Sequence, residues 1–329
     1  MERIEIIDGL KGYAIVLVVI GHVITYANPN NFIKSWLFSF IYAFHMPLFL
    51  FLSGYLVYQY PPKIKRIFVY KKIRGLLYPY FIWLSIFTIV ANNLVFDGNI
   101  LDNFWSIIRA YSLWFLPVLF ISFIFLIVYI FIEQCLVSKK GEVAAPIIFF
   151  ILYIIAWNIH FTSSVLLITR WFSPFVLLGY FVSKNSIWIT ERKYLISILI
   201  LIFILLLPSW YGYSISFIVS NKLNLVVDFI LAISGIGFAY YLLYSLKETK
   251  IFGFLSFCGV YSLEIYILSA FMALAFTIWH IQFWMGSGLT AYITGSAILL
   301  SFSLFGSVIL AHYRIVSILL FGRWSAIKF

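Results

Sequence analysis

Residues 8–27 read DGLKGYAIVLVVIGHVITYA, so that a mostly apolar run separates Lys11 from His22. The run is near the length of about 20 residues that crosses the hydrocarbon core of a membrane as a helix. Eleven residues complete about three helical turns, which puts Lys11 and His22 on one face, about 16 Å apart along the axis. Asp8 falls near the same face, one turn earlier. Ionisable groups inside a membrane helix are costly, so the three are functional candidates.

The composition is that of a membrane protein throughout. The chain has 329 residues, of which 64% are hydrophobic and 10% charged, against about 45–50% and 25% in soluble domains. The longest polar stretch, Gln59 to Arg74, is too short to form a soluble domain. We therefore predict an all-α, polytopic transmembrane helix bundle in the cell (cytoplasmic) membrane, with residues 1–329 forming one integral membrane domain.

Apolar runs predict ten membrane spans. They are Leu10–Ala27, Trp36–Tyr58, Leu76–Phe96, Ser112–Val137, Val143–His160, Val165–Ser183, Tyr194–Tyr211, Leu225–Leu246, Phe254–Trp279 and Leu289–Tyr313. With the N-terminus inside, 18 of the 22 lysines and arginines lie on the inner side. Because cytoplasmic loops are rich in these residues, both termini are predicted to be cytoplasmic.

Several other classes of protein are disfavoured. The net charge of +11 comes from basic residues clustered in short loops, as topology signals are, so nucleic acid is not an expected partner. Cys135 and Cys258 are isolated in apolar surroundings and predict neither a disulfide framework nor a metal site. The first apolar segment is not followed by a small-residue cleavage site, which indicates a retained helix rather than a removed signal peptide.

His22 is the strongest candidate for a catalytic residue. An imidazole can take a proton from a hydroxyl near neutral pH, which is the task of a general base. The alternative is a buried neutral histidine that holds two helices together by hydrogen bonds. The aligned Asp8 and Lys11 favour the functional interpretation.

The loop between the second and third spans carries six basic residues, among them Arg66, Lys71 and Arg74. Lys71 and Arg74 are three residues apart and face the same way if the third helix begins early. One interpretation is a topology signal that also attracts anionic lipid. The other is a phosphate-binding patch, because lysine and arginine are the usual partners of phosphate.

Four further positions are candidates for the opposite side of the protein or for an internal cavity. His45 lies in the predicted outer half of the second span, and Glu264 lies inside the ninth, where a carboxyl group needs a partner or a proton. Arg170 and Trp114 lie near outer span ends. Arg170 either snorkels to the interface or lines an entrance, and Trp114 either belongs to an aromatic belt or stacks on a sugar.

These residues carry a resemblance to the membrane-bound acyltransferase-3 family, and within it to stand-alone, fucose-acetylase-like O-acetyltransferases. The stretch from Asp8 to His22 resembles an opening motif in which an arginine precedes the catalytic histidine, with Lys11 at the arginine position. The carrying motifs also include Phe44–Phe49, Lys71 with Arg74, Leu113–Leu116 and Ser262–Tyr266. Ser269 departs from the pattern, because many members have a histidine there.

The resemblance implies transfer of an acyl group, usually acetyl, from cytoplasmic acetyl-CoA to a hydroxyl of a cell-surface or lipid-linked carbohydrate. We expect His22 as base or transient acyl carrier, with Asp8 as a second catalytic residue, and Lys11, Lys71, Arg74 and Arg66 as donor-binding residues. His45, Trp114, Arg170, Glu264 and Tyr266 are then expected on the acceptor side or in a cavity. Acetyl-CoA is expected as a co-substrate, with no metal and no permanently bound cofactor, and membrane lipid surrounds the protein. The alternative function is a transporter or flippase for a lipid-linked sugar or small anion.

Overall fold

The computed structural model describes residues 5–27, 32, 35–61, 65–94, 113–136, 139–157, 164–185, 193–210, 222–278 and 288–323. These residues are helical nearly throughout, and no strand occurs among them. The predicted all-α class is therefore confirmed. Each of the ten predicted spans contains a helix.

The helices, numbered in chain order, are α1 Glu5–Ala27, α2 Trp36–Gln59, α3 Lys65–Lys72, α4 Tyr78–Leu94, α5 Phe115–Cys135, α6 Lys139–Trp157, α7 Ser164–Lys184, α8 Lys193–Trp210, α9 Lys222–Ser245, α10 Lys250–Val260, α11 Ser262–Ile278, α12 Leu289–His312 and α13 Arg314–Phe321. A π-helical turn, Ile73–Leu77, joins α3 to α4. The third helix thus begins before Lys71, well ahead of the predicted start at Leu76.

The helices have the length and composition of membrane spans. Within the described residues, seven helices are long and apolar enough to cross a membrane, and α10 with α11 makes an eighth if this bent pair is one span. Large apolar side chains such as Phe150, Leu205 and Phe305 are exposed on helix surfaces, which is where lipid would cover them. The total of ten spans and the cytoplasmic side of the termini stay predictions.

The chain divides into two compact units. The first comprises residues 1–49, 78–113 and 187–329, and the second residues 50–77 and 114–186. The first unit therefore holds α1, the start of α2, α4 and α8 to α13. The second holds the end of α2, α3, the π-helical turn and α5 to α7. That residues 1–329 act as one domain stays a prediction.

Helix α1 is the centre of the first unit, where it packs against α9, α10, α11 and α12. Its contact with α10 is made by backbone. A Cβ atom at Gly12 would clash with the carbonyl oxygen of Leu255, and one at Gly259 would clash with the carbonyl oxygen of Asp8. Glycine at these positions lets the two helices approach as closely as small residues allow in membrane proteins.

The ninth predicted span is broken. The sequence predicts one helix over Phe254–Trp279, whereas the structure has α10 and α11 meeting at Tyr261 with a bend of 78°. The side chain of Thr249 caps the start of α10 by accepting a hydrogen bond from the backbone N–H of Phe252. The sequence analysis does not predict this break, because the apolar run continues through Tyr261 and contains no proline that would mark it.

Helix α13 is anchored in the first unit by Trp83 of α4. The indole Nε1–H donates to the carbonyl oxygen of Leu320 at 2.9 Å, and the ring stacks on Phe321, which is fully buried. The same indole makes an edge contact with Phe271 of α11. Gly322 then ends α13 in the left-handed region at φ 62°, a conformation that glycine adopts readily.

The second unit is held by close packing of α2 against α7 and by one polar cluster. Cβ atoms at Gly54 and Gly179 would clash with backbone carbonyl oxygens of the facing helix, so glycine at both positions permits the close packing. Glu133 of α5 accepts hydrogen bonds from Lys184 Nζ at 2.6 Å and from the hydroxyls of Tyr180 and Tyr129. This cluster satisfies a carboxylate at the end of an otherwise apolar helix.

The α1–α10 crossing predicts a contrast between two glycines of α10. Gly259→Ala forces the two backbones apart, which typically costs about 1–3 kcal/mol for an overpacked site. Gly253→Ala adds its methyl where no atom lies within 4 Å, and the gain in helix propensity makes it neutral or slightly stabilising. Thermal unfolding of both variants in detergent measures the difference. Equal melting temperatures would contradict the crossing.

Candidate functional site

His22 lies in α1 against α11. Its ring Nδ1 is 3.3 Å from the hydroxyl oxygen of Ser269, and its ring is 6.4 Å from that of Tyr266, between centroids. Ser269 is fully buried, whereas the His22 side chain keeps part of its surface exposed. His22 is thus a half-buried residue whose ring has a polar partner on the neighbouring helix, and an imidazole so placed is a candidate for proton transfer.

The two contacts of Ser269 favour one tautomer of His22. The hydroxyl donates its single hydrogen to the backbone carbonyl oxygen of Tyr266 at 3.1 Å. With that hydrogen used, the Ser269 oxygen can accept from His22 Nδ1–H, which is the tautomer considered below, because a neutral imidazole has one donor and one acceptor nitrogen. The lone pair of the neutral ring is left on Nε2, which is the nitrogen able to take a proton.

His45 lies in the same unit and near enough to His22 for their charges to interact. It is buried at 3% exposure, and its Nδ1–H donates to the carbonyl oxygen of Ile41 at 2.7 Å. The ring of Tyr42 packs edge-on against His45 at 4.8 Å between centroids and also faces Gly21 of α1. Tyr42, which the sequence analysis did not single out, therefore lies between α1 and His45.

Asp8 and Lys11 form an ion pair at the start of α1, with Lys11 Nζ 3.9 Å from Asp8 Oδ1. Since α1 is continuous from Glu5 to Ala27, the predicted alignment with His22 on one helix is confirmed. Fourteen residues separate Asp8 from His22, which is about 21 Å along the axis. Asp8 therefore does not touch the imidazole, and a catalytic role for it stays a prediction.

A cavity of about 600 Å³ opens beside the start of α1, between α1 and α10. Among the residues that the structure describes, its charged lining consists of Glu5, Asp8 and Glu248 with Lys247. Three carboxylates against one ammonium group disfavour an anionic ligand there. This cavity is therefore a poor place for the phosphates of a donor.

Glu264 has the partner that a carboxyl group inside a span needs, and its predicted place on the acceptor side or in a cavity stays a prediction. The carboxylate is fully buried in the first turn of α11 and forms an ion pair with Arg323, whose Nη2 donates to Oε2 at 2.6 Å and whose Nε contacts Oε1. The required partner thus comes from the residue that follows Gly322, 59 positions along the chain. Arg323 contributed only to the charge count in the sequence, and no local pattern pairs it with Glu264.

The predicted donor-binding residues other than Lys11 lie in the second unit. Arg66 and Lys71 are exposed on α3, and Arg74 lies one turn after Lys71, with its guanidinium 5.1 Å from the ring centre of Tyr70. Lys72 is directed differently, with its ammonium group 3.8 Å from the ring centre of Phe123 on α5. Helix α3 begins before Lys71, as the prediction required, but Arg74 lies in the π-helical turn, so that Lys71 and Arg74 face the same way stays a prediction.

Trp114 and Arg170 also lie in the second unit. Trp114 precedes α5 and packs on Phe172 of α7, with ring centroids 5.4 Å apart. The backbone carbonyl oxygen of Arg170 accepts a hydrogen bond from the hydroxyl of Tyr153. Trp114 and Arg170 thus both make contacts that involve α7, and their role toward an acceptor stays a prediction.

The site contains acid–base groups and no candidate metal cluster. Over the described ranges, no three His, Cys, Asp or Glu side chains are grouped to hold a metal ion. The acid–base groups are the imidazole of the half-buried His22, which contacts the buried Ser269, and the imidazole of His45 beside Tyr42. Such a site is suited to proton transfer from a hydroxyl.

Comparison with protein families gives one match, to a model described as "Acyltransferase domain", over residues 4–312. Two curated proteins are similar to parts of the chain. Nodulation protein NolL of Sinorhizobium fredii is 31% identical over 190 residues, which is 54% of this chain and 48% of that protein. Nodulation protein NolL of Mesorhizobium japonicum is 34% identical over 128 residues, 36% of this chain and 33% of that protein.

The aligned part is about half the length of the first of these relatives and about a third of the second. No solved structure matches the chain.

If Ser269 favours the Nδ1–H tautomer of His22, the variant Ser269→Ala changes the tautomer population. Without the hydroxyl oxygen, Nδ1–H loses its acceptor, so the population of that tautomer falls. Nitrogen NMR of histidine-labelled protein measures it, and His22→Gln assigns the signal among the five histidines. Ser307→Ala is the matched control, because Ser307 is equally buried but bonds only to Ser303 of its own helix. An unchanged His22 tautomer in Ser269→Ala would contradict the proton order.

Proposed function

Because the chain belongs to the acyltransferase family whose domain model spans residues 4–312, we propose that it transfers an acetyl group from acetyl-CoA to a hydroxyl of a cell-surface or lipid-linked carbohydrate. The observation that carries the proposal is the contact of His22 Nδ1 with Ser269. It leaves Nε2 as a base on a partly exposed side chain within the helix bundle. The acetyl group, the coenzyme A donor and the sugar acceptor rest on the resemblance of the motifs.

The proposed reaction needs one base that returns its proton. His22 Nε2 removes the proton of the acceptor hydroxyl as the oxygen attacks the thioester carbonyl carbon. The new ester C–O bond forms, the C–S bond breaks, and the coenzyme A sulfur leaves. The imidazolium then gives its proton to that sulfur, so the free thiol and the neutral histidine are restored. Ser269 keeps Nδ1 protonated throughout.

The acceptor is proposed to reach His22 beside His45. The Nδ1–H of His45 is already used by Ile41, so its Nε2 is available to accept a hydrogen bond from a second hydroxyl. Neighbouring hydroxyls are what a carbohydrate offers. Tyr42 and Tyr266 add aromatic surface on either side of the two imidazoles.

The donor is proposed to meet basic residues through its phosphates. In the second unit, Arg66, Lys71 and Arg74 supply positive charge along one helix. In the first unit, Lys11 is the basic residue of α1, the helix that carries His22. Its ammonium group lies near the carboxylate of Asp8 at the start of that helix. The described lining of the cavity beside the start of α1 is net acidic and would repel phosphate. We therefore assign the phosphates to the basic residues rather than to this cavity.

We expect His22→Ala to abolish acyl transfer while the protein remains folded in the membrane. Loss of a general base typically lowers the rate by about 10²–10⁴-fold. Membranes are incubated with labelled acetyl-CoA, and label is followed into lipid-linked and surface glycan. His312→Ala is the matched control, because His312 is exposed at the end of α12. Near wild-type turnover of His22→Ala, normalised to protein content, would rule out the base.

We expect the double change Lys71→Gln/Arg74→Gln to weaken coenzyme A binding by removing two phosphate partners. The measurement is coenzyme A affinity of the purified protein. The double change Lys250→Gln/Arg314→Gln removes the same charge from exposed positions outside the patch and serves as control. Equal affinities of the two double variants would contradict phosphate binding and favour the interpretation of Lys71 and Arg74 as part of a topology signal. Lys11→Arg keeps the charge and is expected to retain affinity.

A further inference from the structure

The break between α10 and α11 is bridged by one side chain. Where a helix stops, its last carbonyl groups lose their N–H partners. Arg323 Nη2 donates to the carbonyl oxygen of Val260, the last residue of α10, at 2.8 Å. The same guanidinium binds the Glu264 carboxylate on α11 and lies 6.0 Å from the ring centre of Tyr261 at the corner. Arg323 thus bonds to both sides of the 78° bend.

This clamp is itself firmly placed. Arg323 follows Gly322, whose left-handed conformation ends α13, and α13 is fixed by the bond from Trp83 to Leu320 and by the buried Phe321. Glu264 has no exposure to solvent, and a buried charge is strongly destabilising without its partner. The bidentate guanidinium can meet both carboxylate oxygens at once, which an ammonium group cannot do.

The clamp is connected to His22 through α11. Ser269 follows Glu264 by five residues, about 7.5 Å along the same helix. On the other side of the break, α10 is held against the start of α1 by the contacts of Gly12 and Gly259. With α10 fixed to α1, the bend angle determines where α11 places Ser269 along α1. A change of angle at Tyr261 therefore moves the hydroxyl away from His22 Nδ1.

We infer that Arg323 is a positioning residue for acyl transfer: its ion pair with Glu264 and its bond to Val260 lock the helix break, and so hold Ser269 against His22. The inference rests on the proposed function for its kinetic consequence. Its structural consequence does not, because the orientation of His22 is measurable without any reaction.

The first measurement is the His22 tautomer by nitrogen NMR. Arg323→Met is expected to lower the Nδ1–H population in the same direction as Ser269→Ala, although residue 323 does not touch His22. Because Arg323→Met leaves Glu264 unpaired, the double variant Arg323→Met/Glu264→Gln is measured too, which removes the uncompensated charge and favours folding. Arg323→Lys keeps the charge but loses the fork, so an intermediate population is expected.

Lys184→Met provides the matched control. It breaks the ion pair with Glu133 in the second unit and so tests whether loss of any ion pair disturbs the site. The His22 signal is expected to be unchanged in this variant. A shift as large as that of Arg323→Met would overturn the inference, and so would an unchanged His22 signal in the Arg323→Met/Glu264→Gln variant.

The second measurement is the kinetics of the same variants. Because the donor and acceptor contacts are untouched, kcat is expected to fall at least tenfold while KM for acetyl-CoA stays within twofold, with partial recovery in Arg323→Lys. Equal kcat in wild type and Arg323→Met/Glu264→Gln would overturn the positioning role. If the wild type transfers no acetyl group, the proposed function fails, and the NMR comparison still decides the role of the clamp.

Discussion

The close crossing of α1 and α10 is the contact on which the arrangement of the first unit depends. Gly12 and Gly259 remove the side chains that would separate the backbones, so α10 lies directly against the start of α1. A straight continuation of α10 would then leave α1. The bend at Tyr261 redirects the chain, and α11 packs on α1 as far as His22. The two glycines and the bend together decide which residue faces the imidazole.

Breaking a helix in an apolar environment carries a cost, because the freed carbonyl groups have no water to bond. The structure meets this cost with Arg323, whose charge is in turn balanced by Glu264. The guanidinium of Arg323 satisfies the carbonyl group of Val260, and the carboxylate of Glu264 balances the charge of the guanidinium. A buried ion pair, which is weak evidence for stability on its own, here has a definite geometric task.

The distribution of charge also separates parts of the protein. The cavity at the start of α1 has a net acidic lining, and Lys11 is paired with Asp8 beside it. In the second unit, basic residues follow one another along α3 and the π-helical turn, with Arg74 over Tyr70 and Lys72 over Phe123. Cations over aromatic faces are favourable where water is scarce, so these contacts fit helices at a membrane surface.

The sequence alone determined the helical class, the approximate position of the helices and the shared helix of Asp8, Lys11 and His22. It could do so because apolar length and the period of 3.6 residues are local properties. The family resemblance likewise depends on short motifs that are contiguous in the chain.

Only the tertiary structure decided the partners. Ser269 is 247 positions from His22 and Arg323 is 59 from Glu264, and no local pattern encodes such pairings. The break at Tyr261 was invisible because its cause is not a proline but the fixed position of α10 on α1 and the bonds of Arg323. Side-chain partners depend on how helices pack, and packing is settled by long-range contacts that the order of residues does not display.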